Sequence, residues 1–224
     1  ACAPFRRLSL CNKNFQNINN DDSSKAKHDL LLDVCMAAKY EGESLNTYSA
    51  QYNLKYPSSG SSFTMCTMLA RSFADIGDIV RGRDLYLGNK KKNQKETERE
   101  KLEKNLKKIF GNIYKELKNG KTNKEAAKDR YKDTDNYYQL REDWWTANRE
   151  TVWEAMTCSK ELDNSSYFHA TCNDTGKGPS QTHNKCRCPK TSDGKAIKAG
   201  GNVSIVPTYF DYVPQFLRWF EEWA

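Results

Sequence analysis

The chain has 224 residues, of which 37% are hydrophobic and 29% are charged, and its formal net charge is +7. Its mean hydropathy of −0.91 is typical of helices with narrow apolar stripes and argues against a β-sandwich. No run approaches the ~20 apolar residues of a membrane-spanning helix. The chain opens with ACAPFRR, without Met or a signal segment, and we expect it to be a fragment of a larger protein.

The first predicted element follows an Asn- and Asp-rich loop. Ser23 and Ser24 are good N-caps for a helix over about 25–40, and Gly42 is a typical helix terminator. A weaker helix is predicted over about 44–53.

A Ser- and Gly-rich stretch then marks the best internal boundary of the chain. We expect residues 1–57 to belong to a loop-rich unit and residues 58–224 to a helical bundle.

Two strongly amphipathic helices are predicted next, over about 63–81 and about 96–118. Apolar residues recur in both at the spacing of one helix face. In the first helix they are Met65, Leu69, Phe73, Ile76 and Val80. In the second they are Leu102, Leu106, Ile109, Phe110, Ile113, Tyr114 and Leu117. A polar connector with a short helical piece is expected over 119–136.

The five tryptophans lie in two further helical segments, 141–158 and 207–224. Because a buried Trp removes a large apolar area from water, we expect these segments to clamp the core. The first helix is predicted over about 137–158. The second begins near 211–213, because Pro214 is tolerated only in a first turn. Its expected apolar stripe is Tyr209, Tyr212 or Val213, Phe216, Phe220 and Trp223.

The predicted fold class is therefore all-α, without a convincing strand pair. The loop-rich stretch 159–206 cannot bury much surface unaided, so we expect disulfides to hold it. An even set of eight cysteines favours disulfides and an oxidising, extracellular location. They are Cys2, Cys11, Cys35, Cys66, Cys158, Cys172, Cys186 and Cys188. The gap between Cys66 and Cys158 suggests two groups of four, each closed on itself.

A zinc site is the alternative interpretation of the later cysteines. His169–Cys172, His183–Cys186 and Cys188 show spacings that supply nitrogen and sulfur ligands. The single residue between Cys186 and Cys188 is shorter than zinc motifs use, and four cysteines would stay unexplained. Disulfides are the preferred interpretation, and no metal or other cofactor is predicted.

The positive charge is concentrated in one segment. Between Lys90 and Lys132 there are 16 basic and 7 acidic residues, a balance of +9. Such a segment attracts polyanions, although a solvated lysine-rich helix has the same composition. The candidate binding residues for an anionic receptor are Lys90, Lys91, Lys92, Lys95, Lys104, Lys107, Lys108, Lys115 and Lys118, with Arg6 and Arg7 as a second cluster. Nucleic-acid binding shares this segment but conflicts with oxidised cysteines, so nucleic acid is not a predicted partner.

No catalytic constellation is recognised. Asp75 and Asp78 lie one helical turn apart, a spacing that can serve acid–base chemistry. Arg71 and Arg81 stand at the spacing of intrahelical ion pairs with them, which explains all four residues without catalysis. No enzyme is predicted.

Several blocks of the sequence carry a resemblance to a known family. The blocks are CAPFRRLSLCNKNF, KAKHDLLLDVCMAAKYEGESL, TMLARSFADIGDIVRGRDLYLGN, NYYQLREDWWTANRETVWEAMTC, CRCPK and VPTYFDYVPQFLRWFEEWA. In this order they resemble Duffy-binding-like domains, alpha class, of the erythrocyte membrane protein 1 family of the malaria parasite. The segments 90–132 and 159–205 between them are where that family is hypervariable.

The resemblance implies three subdomains stitched by disulfides: a loop-rich first, a helical-bundle second and a helical third. It implies that the chain stops near the start of the third. The implied function is adhesion and antigenic variation on the extracellular face of the infected red cell. Implied partners are a host receptor protein or glycan, host antibodies and neighbouring domains, with membrane anchoring through other parts of the protein. Alpha-class domains are associated with rosetting through heparan-sulfate-like glycans, blood-group sugars or complement receptor. In the alternative, the domain is a structural and antigenic head whose neighbours bind the receptor.

Overall fold

A computed structural model of the chain describes residues 2–18, 25–55, 65–88, 96–119, 124–167, 169–173, 179–182, 184–189 and 205–224. The helices are α1 (Phe5–Leu8), α2 (Ala26–Lys55), α3 (Met65–Arg81), α4 (Glu98–Asn119), α5 (Lys124–Arg130), α6 (Tyr138–Met156) and α7 (Gln215–Trp223). Short 3-10 turns lie at Lys13–Asn17, Lys160–Leu162 and Phe210–Tyr212. The prediction of an all-α bundle is confirmed.

A single antiparallel ladder of two-residue strands is present in the described part of the chain. Strand β1 (Cys172–Asn173) pairs with β2 (Pro179–Ser180). Within the same described residues, no helix combines the length and apolar content needed to cross a bilayer.

Helix α2 corrects the prediction of two helices separated at Gly42. It runs unbroken for 30 residues from Ala26 to Lys55. Gly42 lies in its interior, where an added Cβ would stand 2.1 Å from the carbonyl oxygen of Met156. The glycine therefore serves close packing of α2 against the end of α6, and not helix termination.

Helix α3 is the centre of the bundle, because α2, α6 and α7 all pack against it. Its four charged residues are buried together with all of its apolar residues except the partly buried Met65 and Met68. The predicted ion pair of Arg81 with Asp78 is present at 2.9 Å. The predicted pair of Arg71 with Asp75 is wrong: Asp75 binds Arg6 and Arg218 from other elements, both at 2.7 Å.

The tryptophans of α6 pack as predicted. Trp145 and Trp153 are fully buried, and each ring centroid lies 5.1 Å from that of Phe73 on α3. A Cβ at Gly77 would stand 2.7 Å from the Trp145 ring, so the absence of a side chain at this position leaves room for the indole. Trp144 packs edge-on against Phe110 of α4.

The C-terminal helix α7 is oriented opposite to the prediction. Its buried residues are Gln215, Arg218 and Trp219. The predicted apolar stripe faces outward, with Phe216 51% and Phe220 73% exposed. The acidic residues of α3 supply the reason: Arg218 bonds Asp75 and Asp78, and this ion pairing sets the buried face.

Two disulfides hold the loop-rich segment. Cys66–Cys186 ties it to the start of α3, and Cys172–Cys188 closes a loop within it. The expectation of two self-contained groups of four is wrong, because Cys66–Cys186 joins them. Cys172, Cys186 and Cys188, the three cysteines of the predicted zinc alternative, are bonded in these disulfides and therefore supply no thiolate ligands.

The prediction that all eight cysteines are oxidised is also wrong in this structure. Cys2, Cys11, Cys35 and Cys158 are free. They stand in separate places: Cys2 beside Trp223, Cys11 beside Glu41 and Ser44, Cys35 within α2, and Cys158 after α6. Burial raises the pKa of the Cys11 and Cys35 thiols, which makes both less reactive.

The predicted boundary between residues 57 and 58 lies outside the described residues. The described parts on either side of it share one hydrophobic core, in which Leu30 and Val34 of α2 join Leu69 of α3 and Trp153 of α6. The division into two units stays a prediction.

Candidate binding surface

Helix α4 presents the most basic surface among the predicted site residues. It begins with a capping box: the Thr97 amide donates to Glu100 Oε2 at 2.6 Å, and the Glu100 amide donates to Thr97 Oγ1 at 3.2 Å. Its apolar stripe is buried in the bundle, from Leu102 to Tyr114. The opposite side of the helix therefore faces solvent.

Four lysines share that solvent side of α4, at the i, i+3, i+7 and i+14 positions of one helical face. They are Lys101, Lys104, Lys108 and Lys115, and all four are exposed. We call them the α4 lysine face. Lys101 was absent from the sequence prediction, although its spacing from Lys104 and Lys108 identifies it. At 1.5 Å per residue the face is about 21 Å long.

Little acidic charge offsets this face. Lys104 pairs with Glu96 across the start of the helix. Lys108 and Lys115 have no acidic partner among the residues that the structure describes. Long, hydrated lysine side chains without partners keep their positive field in solution, and such a field attracts anionic ligands.

The other predicted lysines are placed differently. Lys107 and Lys118 are half-buried at the edge of the face, and the Lys118 Nζ lies 4.6 Å from the centre of the Tyr114 ring. Lys90, Lys91, Lys92 and Lys95 lie outside the described residues.

The predicted second cluster is not a free cationic surface. The Arg6 guanidinium lies 2.7 Å from Asp75 and 2.9 Å from Glu222. Burial opposes its charge, but these carboxylates outweigh burial and raise the pKa of Arg6. Arg7 is buried against Asp84, with its guanidinium 4.7 Å from the Tyr86 ring centre. Both arginines fasten α1 to the bundle, and we leave them out of the candidate surface.

A family model of the Duffy binding domain matches residues 1–218. The chain belongs to the Duffy binding domain family. Duffy binding domains of this kind are adhesion modules and not enzymes, so no catalytic activity is assigned to the chain.

Solved Duffy binding domains share this fold. The NTS-DBL1(alpha-1) domain of Plasmodium falciparum membrane protein 1 (PfEMP1), varO strain, is 41% identical, with a TM-score of 0.68 over 100% of this chain and 43% of its own length. A PfEMP1 double domain of NTS-DBL1-alpha and CIDR-gamma is 42% identical, with a TM-score of 0.69 over 100% of this chain and 27% of its own.

A PfEMP1 DBLbeta domain solved bound to ICAM-1 is 30% identical, with a TM-score of 0.61 over 100% of this chain and 44% of its own. The chain thus spans less than half the length of each of these solved chains. A comparison with curated protein sequences found no match.

Proposed function

We propose that this Duffy binding domain is an extracellular adhesion and antigenic-variation module on the face of the infected red cell, where it binds host receptors. The observation that carries the proposal is the match to PfEMP1 domains over the whole chain, one relative of which was solved with ICAM-1 bound. Host antibodies and neighbouring domains of the full protein are its other proposed partners.

The α4 lysine face is the proposed contact for an anionic receptor. Its exposed lysines project from one rigid helix, and two of them have no acidic partner in the described part of the chain. A row about 21 Å long matches an extended polyanion better than a compact ligand. A heparan-sulfate-like glycan is therefore the preferred receptor for this face, ahead of blood-group sugars or complement receptor. Such binding supports rosetting or cytoadherence.

Heparin chromatography tests the α4 lysine face. We expect the triple variant Lys104→Glu, Lys108→Glu, Lys115→Glu to elute at clearly lower salt than the wild type, because exposed charge–charge attraction is screened by salt. The matched control is Lys27→Glu, Lys39→Glu, Lys160→Glu, which reverses as many exposed lysines elsewhere. Equal elution of the two triple variants would show that only net charge matters and would reject the face. Charge reversal at Lys90, Lys91, Lys92 and Lys95 tests the remaining predicted residues in the same way.

The alternative function is a structural and antigenic head, with receptor binding by neighbouring domains. The observation in its favour is that the solved relatives extend well beyond the part matched here, and one of them holds a second domain. Binding of the isolated chain to red cells and endothelial receptors distinguishes the two functions. Reproducible, receptor-dependent binding rejects the alternative, and its absence rejects the adhesion proposal for this chain.

A further inference from the structure

A cavity of about 410 Å³ lies away from the α4 lysine face, where three parts of the chain meet. The end of α1 and the segment after it form one side, with Leu8 and Leu10. The loop that follows α3 forms the second side, and the first turns of α4 form the third, with Leu102. A cavity of this volume is in the range of small-ligand sites.

The floor of the cavity is a fixed hydrogen-bonded unit. The buried Arg7 donates two hydrogen bonds to the Asp84 carboxylate. Asp84 Oδ1 also accepts from Gln215 of α7 at 2.9 Å. The Arg7 guanidinium lies over the Tyr86 ring, which also lines the cavity. These contacts hold an aromatic ring and polar groups in place before any ligand arrives.

Two cations line the cavity without an acidic partner in the described part of the chain. They are Arg99 of α4 and Lys13 of the N-terminal segment. Arg99 precedes Leu102 by three residues and Leu106 by seven, so it continues the inward stripe of α4 and lies away from the lysine face. Its half-buried guanidinium therefore belongs to the cavity.

Hydrogen-bond acceptors stand beside these cations. Glu98 and Asn12 line the same cavity, and their side chains carry a carboxylate and an amide. A bare inorganic anion would use the two cations but would leave the hydrogen-bond acceptors of the cavity without a donor. A ligand that carries hydroxyl groups as well as one anionic group uses both, because a hydroxyl donates to carboxylates and accepts from amides.

We propose that this cavity binds one sugar residue that carries a carboxylate, such as a hexuronic acid. Its carboxylate lies between Arg99 and Lys13, since the planar guanidinium matches a carboxylate with two parallel hydrogen bonds. Its hydroxyls bond Asn12 and Glu98, and its C–H face packs on Tyr86 and the leucines. The proposal rests on the proposed adhesion function insofar as the sugar is a unit of a host-cell glycan.

Titration of the purified chain with glucuronic acid, followed by NMR or calorimetry, tests the site. We expect saturable binding of glucuronic acid. Glucose and acetate should bind more weakly by about tenfold or more, because glucose lacks the carboxylate and acetate lacks the hydroxyl groups. Arg99→Gln should weaken glucuronic acid binding by about tenfold or more, since it removes a charge-assisted hydrogen bond. The matched control is Lys160→Gln, at an exposed lysine after α6 that belongs to neither proposed site, which should leave the affinity unchanged.

Each other outcome overturns the inference. Absence of saturable glucuronic acid binding would show that the cavity is not a sugar site. Equal affinities for acetate and glucuronic acid would show that it recognises only the anionic group. Unchanged affinity in Arg99→Gln, with a circular dichroism spectrum and melting temperature like those of the wild type, places the sugar elsewhere. Because the probe is a monosaccharide and the readout needs no cell, the result is independent of heparin elution and of cell adhesion.

Discussion

Two buried aspartates of α3 show that the charged neighbours of a carboxyl group decide the direction in which its pKa moves. Asp75 and Asp78 on α3 share Arg218, yet their pKa values move in opposite directions. Burial raises the pKa of both, but for Asp75 the guanidiniums of Arg6 and Arg218 outweigh burial and hold the pKa below its usual value. For Asp78 burial prevails over Arg218 and Arg81 and raises the pKa to about 6. The pair thus places a stable carboxylate beside one that titrates in mild acid.

The titration of Asp78 predicts a pH dependence of stability. Since the folded chain binds this proton more tightly than the unfolded chain, protonated Asp78 favours folding. The contribution is present at low pH and is lost as the pH rises from about 4 through about 6. We expect the free energy of unfolding of Asp78→Asn, relative to the wild type, to rise by on the order of 2 kcal/mol between pH 4 and pH 7.

Urea denaturation of both proteins across this pH range measures the difference. The control is Asp129→Asn at an exposed site, for which we expect a profile parallel to that of the wild type. Parallel profiles for Asp78→Asn as well would show that Asp78 does not titrate in this window.

Helix α7 shows at the scale of an element that charge pairing can decide which face is buried. Its hydrophobic pattern predicts Phe216 and Phe220 inside, yet Gln215, Arg218 and Trp219 are buried. The partners on α3 are acidic, and the ion pairs of Arg218 satisfy buried carboxylates that would otherwise lack compensation. The exposed aromatic residues then form an outer surface that borders Phe5 of α1, whose ring centroid is 5.9 Å from that of Trp223.

This orientation predicts an inverted ranking of two substitutions in α7. Arg218→Met should lower the free energy of unfolding by about 3 kcal/mol or more, because it leaves buried carboxylates short of a partner. Phe220→Ala, at a ring that is 73% exposed, should cost less than about 0.5 kcal/mol. Chemical denaturation ranks the two variants. A larger loss for Phe220→Ala would mean that the aromatic face is buried in solution.

At the scale of the whole molecule, disulfides connect parts that are distant in the sequence. Cys66–Cys186 spans 120 residues and fastens the loop-rich segment to the central helix α3. Cys172–Cys188 spans 16 residues and closes a local loop. Because closing a longer loop removes more freedom from the unfolded chain, the first disulfide has the greater stabilising role in the chain-entropy account.

Thiol counting and stability measurements test this arrangement. In denaturant without reductant we expect the four free cysteines to react and the four bonded ones to stay protected. Replacing Cys66 and Cys186 by Ala should cost about 4 to 5 kcal/mol, against about 3 kcal/mol for Cys172 and Cys188. A count of no reactive thiols would contradict the structure and support the pairing of all eight cysteines that composition predicts.

The amino-acid sequence by itself determined the helical class, the helices α3, α4 and α6, and the burial of Trp144, Trp145 and Trp153. These features follow from local periodicity and from the free-energy cost of leaving large apolar side chains in water. Both properties can be determined from the amino-acid sequence alone. The outward lysines of α4 follow from the same periodicity. The sequence blocks that resemble Duffy-binding-like domains led to the family that the comparisons then established.

Only the tertiary structure decided the roles that depend on a distant partner. Gly42 lies inside α2, where the Met156 carbonyl oxygen leaves no room for a Cβ, and α7 turns Arg218 inward because α3 carries Asp75 and Asp78. Arg6 and Arg7 are held by carboxylates far along the chain, whereas Arg99 and Lys13 come together around one cavity. Periodicity describes one element at a time. Ion pairs, disulfides and cavities arise between elements, so their members appear only when the chain is folded.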